Sequence, residues 1–480
     1  MANVILYSQL GYRPLMWRIV SCYVLARWIE EHGYTCQVIE FTHLFSPQEL
    51  IDTTKMFIDK DTLMIGASST MWSTWSGDLM MNVHARSVPE NIHSALTELK
   101  SQFPKIQTVL GGHRLHDLLQ GLEVFDHISE STYGEDWLLK FLDELTNKSM
   151  VTKLQRKKFD ISSHRFVYKK HDCILPGETL PLEWGRGCIF KCPFCRNPNL
   201  GKRGGTDEKN IELMVDEFTE MYETFGTTSY YFIDETFNSD VKRIENLANV
   251  YHKLPFKLEF LAYNRADLVD AHPHTQDILH ECGQRGTLFG IETFHPEAAK
   301  LVLKPWSARR GKDFLLHIQD KWPNTHIDAS LIAGIPGVSR EQHFETADWF
   351  LKSKISTYQF KPLIMIDDRV SNTYTQSTWE VDSTSLEITW PDENEIFNWR
   401  WGDATYMDAY KLAVELNQYI NYRDRFFMWA LGALTCTGVT LKDVANKPKA
   451  EILSLTGNLY DQEIKLFSLY KEQLKGLQGR

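Results

Sequence analysis

The sequence of 480 residues lacks the marks of several protein classes. It has no basic surplus: the formal net charge is −11 and the pI is about 5.9, which disfavours nucleic acid as a partner because nucleic-acid-binding proteins usually carry a basic surplus or stripe. No apolar run approaches the ~20 residues of a membrane span. The eight cysteines are spread thinly apart from one cluster, a pattern that disfavours a secreted disulfide scaffold.

What is present is an ordinary globular composition, with 43% apolar and 24% charged residues. The segment MANVILYSQLGYRP shows no basic region followed by an apolar one, so we expect no signal peptide. We therefore predict a cytoplasmic protein, whose thiols stay reduced and which has no membrane partner. At roughly 100–200 residues per domain, the length predicts two to three domains.

Residues 1–145 alternate between short apolar runs and helical periodicity, which predicts an α/β domain with a doubly wound parallel sheet. In such sheets ligands bind beyond the carboxyl ends of the strands. The residues that the pattern places at those ends, and that we take as ligand-binding candidates, are Gln9, Gly11, Ser68, Ser69, Thr70, Gly111, Gly112, His113, Gly134 and Glu135.

Three further segments follow. Residues 146–180 are polar and rich in lysine, which predicts a linker. Residues 181–365 repeat the strand–helix alternation at least five times, which predicts a full or partial (β/α) barrel with its chemistry at the C-terminal strand ends. Residues 366–480 predict a mostly helical C-terminal domain, whose tryptophans, Trp399 and Trp401 among them, are either packing residues or a cover over the barrel mouth.

The dense cysteine cluster lies in GRGCIFKCPFC, where Cys188, Cys192 and Cys195 have the spacing C-x3-C-x2-C. Cytosolic cysteine clusters usually bind metal. Structural zinc and ferredoxin-type clusters take four protein ligands, and the chain has no second C-x2-C, although Cys173 leaves a zinc site open as an alternative. Three thiolates on a four-iron cluster leave one iron without a protein ligand, as a catalytic metal centre leaves a position for its substrate.

This motif, placed after the first strand of the predicted barrel and with Phe194 before its third cysteine, resembles that of the radical S-adenosylmethionine superfamily. The resemblance implies that Cys188, Cys192 and Cys195 bind a [4Fe–4S] cluster and that S-adenosylmethionine occupies the open iron. One electron would then split the sulfonium into methionine and a 5′-deoxyadenosyl radical, which abstracts hydrogen from a substrate.

Other segments resemble cofactor-binding motifs of the same superfamily at similar intervals. They are FIDETF, AYNRADL, LFGIETF, LVLKPW and LIAGIPG. The resemblance implies contacts to S-adenosylmethionine from Phe194, Asp234, Glu235, Arg265, Glu292, Lys304 and Ser330. Among these, Asp234 and Glu235 would accept hydrogen bonds from an ammonium group, and Arg265 would bind a carboxylate through two hydrogen bonds.

A doubly wound domain ahead of such a barrel resembles the cobalamin-binding branch of the superfamily. TVLGGHR and HISESTYGED resemble two of its strand-end segments, although the second lacks one glycine of the usual turn. The resemblance implies that the strand-end residues within residues 1–145 bind cobalamin, between the two domains. The motif D-x-H-x-x-G, which supplies a cobalt ligand in many cobalamin proteins, is absent. The domain is therefore either a cobalamin site without that ligand or a remnant that binds none.

If cobalamin binds, the predicted function is methylation of an unactivated carbon in a small-molecule or peptide substrate, with electrons from a donor such as flavodoxin or ferredoxin. The alternatives are a cobalamin-free radical enzyme that catalyses oxidation, cyclisation or rearrangement, and a non-catalytic zinc or Fe–S protein. The methylthiotransferase branch is disfavoured because its members carry three further cysteines in the N-terminal domain, where this chain has only Cys22 and Cys36.

Overall fold

The computed structural model describes every residue except 1, 11–12, 75–82, 85–86, 113–119, 130, 132, 147–157, 191, 196–206, 305, 365–387, 390–398 and 478–480. The chain divides into two units. The first consists of Met1–Pro181, Glu220–Gly226 and Asn458–Arg480, and the second of Leu182–Thr219 and Thr227–Gly457. No helix among the described residues is both long enough and apolar enough to cross a membrane.

The first unit contains a parallel sheet of five strands. They are β1 (Val4–Tyr7), β2 (Cys36–Ile39), β3 (Met64–Ser68), β4 (Gln107–Gly111) and β5 (His127–Ile128). The helices are α1 (Val20–Glu31), α2 (Pro47–Lys55), α3 (Glu90–Gln102) and α4 (Gly134–Leu145). The spatial order is β2-β1-β3-β4-β5, with every neighbouring pair parallel. This order confirms the predicted doubly wound sheet and puts its switch point between β1 and β3.

Ordinary sequence signals account for the helices of this unit. Ser46 and Glu49 form a reciprocal capping box at the start of α2, and Pro47 occupies the first helical position. Along α4, Leu138 and Leu142 are buried on one face, as an amphipathic helix against a sheet requires.

The second sheet has six strands in the order of the chain. They are β6 (Leu180–Leu182), β7 (Ser229–Phe232), β8 (Glu259–Asn264), β9 (Gln284–Glu292), β10 (His326–Ala333) and β11 (Thr357–Pro362). Strands β7 to β11 run parallel. The helices along this part of the chain are α5 (Ile211–Phe225), α6 (Val241–Tyr251), α7 (Ala266–Ala271), α8 (Pro273–Glu281), α9 (Pro296–Leu301), α10 (Ala308–Lys321) and α11 (Arg340–Lys352). This is the partial form of the predicted (β/α) barrel.

Within the described residues, five helices follow the barrel: α12 (Tyr406–Tyr419), α13 (Met428–Leu434), α14 (Leu441–Val444), α15 (Lys449–Thr456) and α16 (Leu459–Lys475). In α12, Asn417 exchanges two hydrogen bonds with the backbone of Phe360 (2.9 and 2.7 Å) and thereby pairs the open edge of β11. The N–H of Met428 donates to Asp328 in β10 (2.7 Å), and α13 packs against β7 to β10. A Cβ on Gly286, near the start of β9, would lie 2.6 Å from Met428, so α13 fills the barrel at the N-terminal strand ends.

The division into units differs from the predicted segment boundaries at two places. The described part of the predicted linker, from residue 158, belongs to the first unit, where its Asp172 and Glu178 form buried ion pairs with Arg27 (2.9 Å) and Arg18 (2.8 Å) of that unit. Helix α16 also belongs to the first unit: the hydroxyl of Tyr470 accepts a hydrogen bond from the N–H of Glu40 (2.8 Å). Such buried contacts between distant parts of the chain leave no trace in local composition.

Candidate functional site

Asp234, two residues after β7, supports the start of the cysteine loop. Its carboxylate accepts hydrogen bonds from the backbone N–H groups of Trp184 (3.1 Å) and Gly185 (2.7 Å) and pairs with Arg243 (3.0 Å). Burial raises the pKa of Asp234 to about 6, although the charge of Arg243 opposes the rise. The sequence assigned Asp234 to an ammonium group of the cofactor. In the structure its oxygens hold the start of the loop, and the contact to an ammonium group stays a prediction.

The next two residues touch the same loop. The Glu235 carboxylate accepts a hydrogen bond from the N–H of Gly187 (3.1 Å), and the Thr236 hydroxyl lies 3.5 Å from the sulfur of Cys188. Three consecutive residues of the FIDETF segment, Asp234, Glu235 and Thr236, thus contact the backbone before Cys188 or the sulfur of Cys188 itself. This explains in physical terms why two acids follow one another at the end of this strand.

Arg265, at the end of β8, contacts the second cysteine. Its Nη1 donates to the sulfur of Cys192 (3.5 Å), while Nε and Nη2 donate to the two carboxylate oxygens of Asp267 (3.0 and 2.7 Å). The sequence predicted that this fork would hold a carboxylate of the cofactor, whereas in the structure Asp267 occupies it. Burial raises the pKa of Cys192, and the charges of Lys304 and Arg265 oppose that rise.

Glu292 ends β9 in an unusual backbone conformation. Its φ of +64° is rare for a residue with a side chain, and the β9–β10 register shifts beside it. Its carboxylate lies 3.5 Å from the ammonium of Lys304, which also donates to the carbonyl of Gly290 (2.8 Å). A Cβ on Gly290 would overlap the Glu292 carboxylate, which accounts for the glycine of the GIE motif. Burial raises the pKa of Glu292 against the opposing charge of Lys304.

The barrel interior carries further polar groups. Ser330 of β10 stands level with Gly290 of β9 and Gln359 of β11, so its side chain belongs to the same inward-facing row as the predicted site. Lys361 lies two residues further along that face of β11. Desolvation lowers the pKa of Lys361, and the charges of Glu292 and Asp328 oppose the change. The sequence analysis missed Lys361.

Phe194, the aromatic residue inside the cysteine motif, packs against a buried cluster rather than standing free. This cluster contains Ile335 of the LIAGIPG turn and Trp399, whose indole N–H donates to the carbonyl of Leu363 (3.0 Å). Trp401 is partly buried against the same cluster. Trp399 is therefore a core residue that supports the cysteine loop through Phe194.

The donor set fits a [4Fe–4S] cluster. All three cysteines are unbonded thiols of intermediate exposure, on one short loop beside positive charge. Among the described residues no three His, Cys, Asp or Glu side chains are arranged to hold a single metal ion. A cubane does not require that arrangement, because each thiolate binds a separate iron. The alternative fourth ligand, Cys173, is buried in the first unit, and burial raises its pKa to about 12.

The first unit gathers its own set of candidates at the carboxyl ends of β1, β3 and β4. Gln9 accepts a hydrogen bond from Thr42 (2.7 Å), and Ser68 donates to Thr70 (3.1 Å). Gly111 ends β4, and its carbonyl accepts from the N–H of Ser69 (2.7 Å).

Gly112 and Ser69 give this edge its shape. Gly112 has a φ of +112°, and a Cβ there would lie only 2.7 Å from the N–H nitrogen of Thr70. The buried hydroxyl of Ser69 forms no hydrogen bond among the described residues. Gly134 and Glu135 begin α4, with Glu135 buried. The remaining predicted residues, Gly11 and His113, lie outside the described part of the chain.

Comparisons with known proteins find the same fold in solved structures, although no family model matches the chain. The radical S-adenosylmethionine methyltransferase TsrM from Kitasatospora setae, with cobalamin and a [4Fe–4S] cluster bound, superposes with a TM-score of 0.60 at 12% identity over 99% of this chain and 100% of that one. The cobalamin-dependent S-adenosylmethionine radical enzyme OxsB, with aqua-cobalamin bound, gives a TM-score of 0.59 at 12% identity over 99% of this chain and 80% of that one.

Curated relatives match over shorter stretches. The ribosomal protein uS12 methylthiotransferase of Trichodesmium erythraeum is 22% identical over 282 residues, 55% of this chain and 56% of that protein. An uncharacterised methyltransferase of Pyrococcus horikoshii is 24% identical over 176 residues, 36% of this chain and 37% of that protein. The chain thus spans little more than half the length of the first of these relatives.

The cysteine motif on the loop after the first barrel strand and these matches both make the chain similar to radical S-adenosylmethionine enzymes, the resemblance that the sequence predicted. Its fold is that of the cobalamin-dependent members TsrM and OxsB. Sequence reasoning missed the residues that hold the motif, Arg243, Thr236 and Asp267. Thr236 and Asp267 lie inside the quoted segments FIDETF and AYNRADL, whereas Arg243 gave no local signal.

Proposed function

We propose that this protein is a cobalamin-dependent radical S-adenosylmethionine methyltransferase that methylates an unactivated carbon. The observation that carries the proposal is the position of the three thiols. The loop with Cys188, Cys192 and Cys195 meets the C-terminal strand ends of the barrel, where Cys192 contacts Arg265 and feels the charge of Lys304. Barrel enzymes assemble their active sites at that end of the strands.

The chain's own residues would divide the work as follows. The three cysteines hold the cluster, and Asp234, Glu235 and Thr236 fix the segment that leads into Cys188. The Glu292–Lys304 pair presents one acceptor and one cation to the amino and carboxylate groups of S-adenosylmethionine. When bound, the cluster supplies one electron for cleavage of the sulfonium, and cobalamin supplies a methyl group.

The strand ends of the first unit would hold the cobalamin. A polar ligand there would satisfy the orphaned hydroxyl of Ser69, and the absence of a side chain at Gly112 lets a neighbouring backbone approach closely. The cobalamin named for TsrM and OxsB supports this assignment by analogy of fold.

The methylthiotransferase relatives do not change the proposal. Members of that branch carry additional cysteine ligands in the N-terminal domain, and the two cysteines of this chain in that region, Cys22 and Cys36, are buried at 1% and 6% exposure. Burial raises the pKa of both, to about 12 for Cys22, which opposes thiolate formation and metal binding.

The proposed partners are a one-electron donor of the flavodoxin or ferredoxin type and a small-molecule or peptide substrate. Lys361, on the same face of β11 as Gln359, is one cation that would meet such a substrate, since its side chain is exposed and forms no hydrogen bond among the described residues.

The test uses the full chain, purified without oxygen, reconstituted with iron, sulfide and hydroxocobalamin, and given a chemical reductant and S-adenosylmethionine labelled in its methyl group. We expect 5′-deoxyadenosine, together with label bound to the corrinoid. Formation of 5′-deoxyadenosine without any corrinoid label would favour the cobalamin-free radical enzyme. Formation of neither product would contradict both enzyme assignments.

A further inference from the structure

The guanidinium of Arg265 is fixed on three sides. Asp267 binds Nε and Nη2, the ring of Phe190 lies 3.8 Å from the guanidinium carbon, and Nη1 points at the sulfur of Cys192. The backbone of Arg265 is held as well, because its N–H and carbonyl each bond to the side chain of Asn238 (2.7 and 2.9 Å). A long side chain rarely has so little freedom, and its one remaining directed contact is to a predicted cluster ligand.

The charge of this group is permanent. Burial by itself would lower the pKa of Arg265, but Asp267 and Cys192 raise it above its ordinary value. An arginine keeps its proton in any protein environment, so the Nη1–H donor is always available to the sulfur.

We propose that Arg265 is a positioning residue for the cluster: it stabilises the reduced cluster through a hydrogen bond and a positive charge at Cys192, and so raises the reduction potential. The inference rests on the proposed function, because it requires the three cysteines to bind the [4Fe–4S] cluster. It replaces the expectation that the Arg265 fork holds a carboxylate of the cofactor.

Reduction makes the cluster more negative, and a fixed positive charge beside it favours that change. One-electron reduction takes the cluster from [4Fe–4S]2+ to [4Fe–4S]1+, with the electron supplied by the ferredoxin- or flavodoxin-type donor and with no bond made or broken. The added negative charge is spread over iron and sulfur, so donors to the ligating sulfurs stabilise the reduced form more than the oxidised form. Asp267 orients the guanidinium of Arg265 and partly neutralises its charge through their ion pair.

The chain offers a matched control in Arg285. This arginine also pairs with a carboxylate, Glu259 at 3.1 Å, and the two side chains are 19% and 17% exposed. The pair lies at the start of β8 and β9, the opposite strand ends from the cysteines. Removing Arg285 therefore removes the same type of ion pair from the same sheet without changing the surroundings of the cluster.

The experiment is an anaerobic redox titration of the full-length, reconstituted protein without S-adenosylmethionine, followed by electron paramagnetic resonance of the reduced cluster. The proteins are the wild type, Arg265→Met, Arg265→Lys and Arg285→Met. We expect Arg265→Met to lower the potential so that the ratio of reduced to oxidised cluster falls at least tenfold at a fixed solution potential, a change of 59 mV for one electron. The reduction potential of Arg265→Lys should lie between those of the wild type and Arg265→Met. Lysine keeps the positive charge but lacks the forked donors and the flat stacking surface of the guanidinium. Arg285→Met should titrate like the wild type.

A wild-type potential in Arg265→Met would overturn the inference. Loss of iron from both Arg265 variants, with iron retained in Arg285→Met, would also overturn it, because Arg265 would then be needed for assembly rather than for tuning. If Arg265→Lys had an unchanged potential but bound S-adenosylmethionine tenfold more weakly, the inference would be overturned. Arg265 would then be a ligand for the carboxylate of the cofactor. Absence of iron from the wild type would instead contradict the proposed function.

Discussion

The two parallel sheets of this protein end in different chemistry. In the first unit, the residues that follow β1, β3 and β4 include Ser8, Gln9, Ser69, Thr70 and Gly112, all uncharged. In the barrel, the corresponding strand ends carry Asp234, Arg265, Glu292 and Lys361, together with the thiols of the adjacent loop. Backbone and hydroxyl groups line the strand ends of the first unit, whereas charged side chains line the strand ends of the barrel.

This difference matches the tasks we propose for the two edges. A large, polar ligand such as cobalamin is held by close backbone approach and many weak hydrogen bonds, for which small side chains leave room. A cluster that gains an electron and a zwitterionic cofactor need fixed charges near the reacting atoms. On this proposal the same strand architecture serves both tasks, and the residues at the strand ends decide between them.

The largest effect should come from the thiols. Replacing Cys188, Cys192 or Cys195 with alanine should abolish cluster assembly and cleavage of S-adenosylmethionine, because a cubane that loses one of three ligands is no longer held. Iron analysis and 5′-deoxyadenosine yield measure this. The control is Cys282→Ala, a buried cysteine outside the loop. If Cys282→Ala lost as much iron as the loop variants, the result would contradict the assignment of the motif as the cluster-binding site.

The next effect concerns the support of the loop. Asp234→Asn leaves Arg243, 2% exposed, with one partner fewer, and should lower the free energy of unfolding by roughly 3 kcal/mol. Thermal unfolding of the apoprotein measures it. Asp270→Asn removes a similar pair to Arg310 at the surface and should change stability by less than about 1 kcal/mol. Similar melting temperatures for both variants would show that Asp234 does not support the loop.

A third change tests charge at the barrel edge. Glu292→Gln removes the negative charge beside Lys304 and should weaken binding of S-adenosylmethionine by roughly 10- to 100-fold, the range expected from the loss of a charged hydrogen bond. Equilibrium dialysis against the labelled cofactor gives the affinity. Glu297→Gln, in an exposed pair with Lys300, is the control. If Glu292→Gln bound S-adenosylmethionine as tightly as the wild type, the Glu292–Lys304 pair would not be part of the cofactor site.

The smallest effect tests shape in the first unit. Gly112→Ala and Gly33→Ala both place a side chain at positive φ, but only the first brings a Cβ against backbone, since nothing lies within 4 Å of the second. Each should cost on the order of 1–3 kcal/mol of stability, and only Gly112→Ala should also weaken cobalamin binding. Titration of the corrinoid absorbance separates the two. Equal cobalamin affinity in both variants would argue that this edge does not bind the ligand.

The sequence predicted the two sheets, the motif and the general position of the site, because strand–helix alternation and cysteine spacing are local signals. It did not predict that Asp267 would take the fork of Arg265, that Arg243 would pair with Asp234, or that α16 would join the first unit. These depend on side chains that meet across elements far apart in the chain. Trp399 shows the same limit: its sequence position favoured a packing role but left the barrel mouth open, and packing with Ile335 decided for the core.

The most direct test of the account is metal analysis of the full chain after anaerobic reconstitution in the presence of cobalamin. The account predicts about four irons per chain and cobalt equimolar with the chain, with the iron lost on replacement of any cysteine of the 188–195 loop. Zinc in place of iron, or iron that survives those replacements, would contradict it.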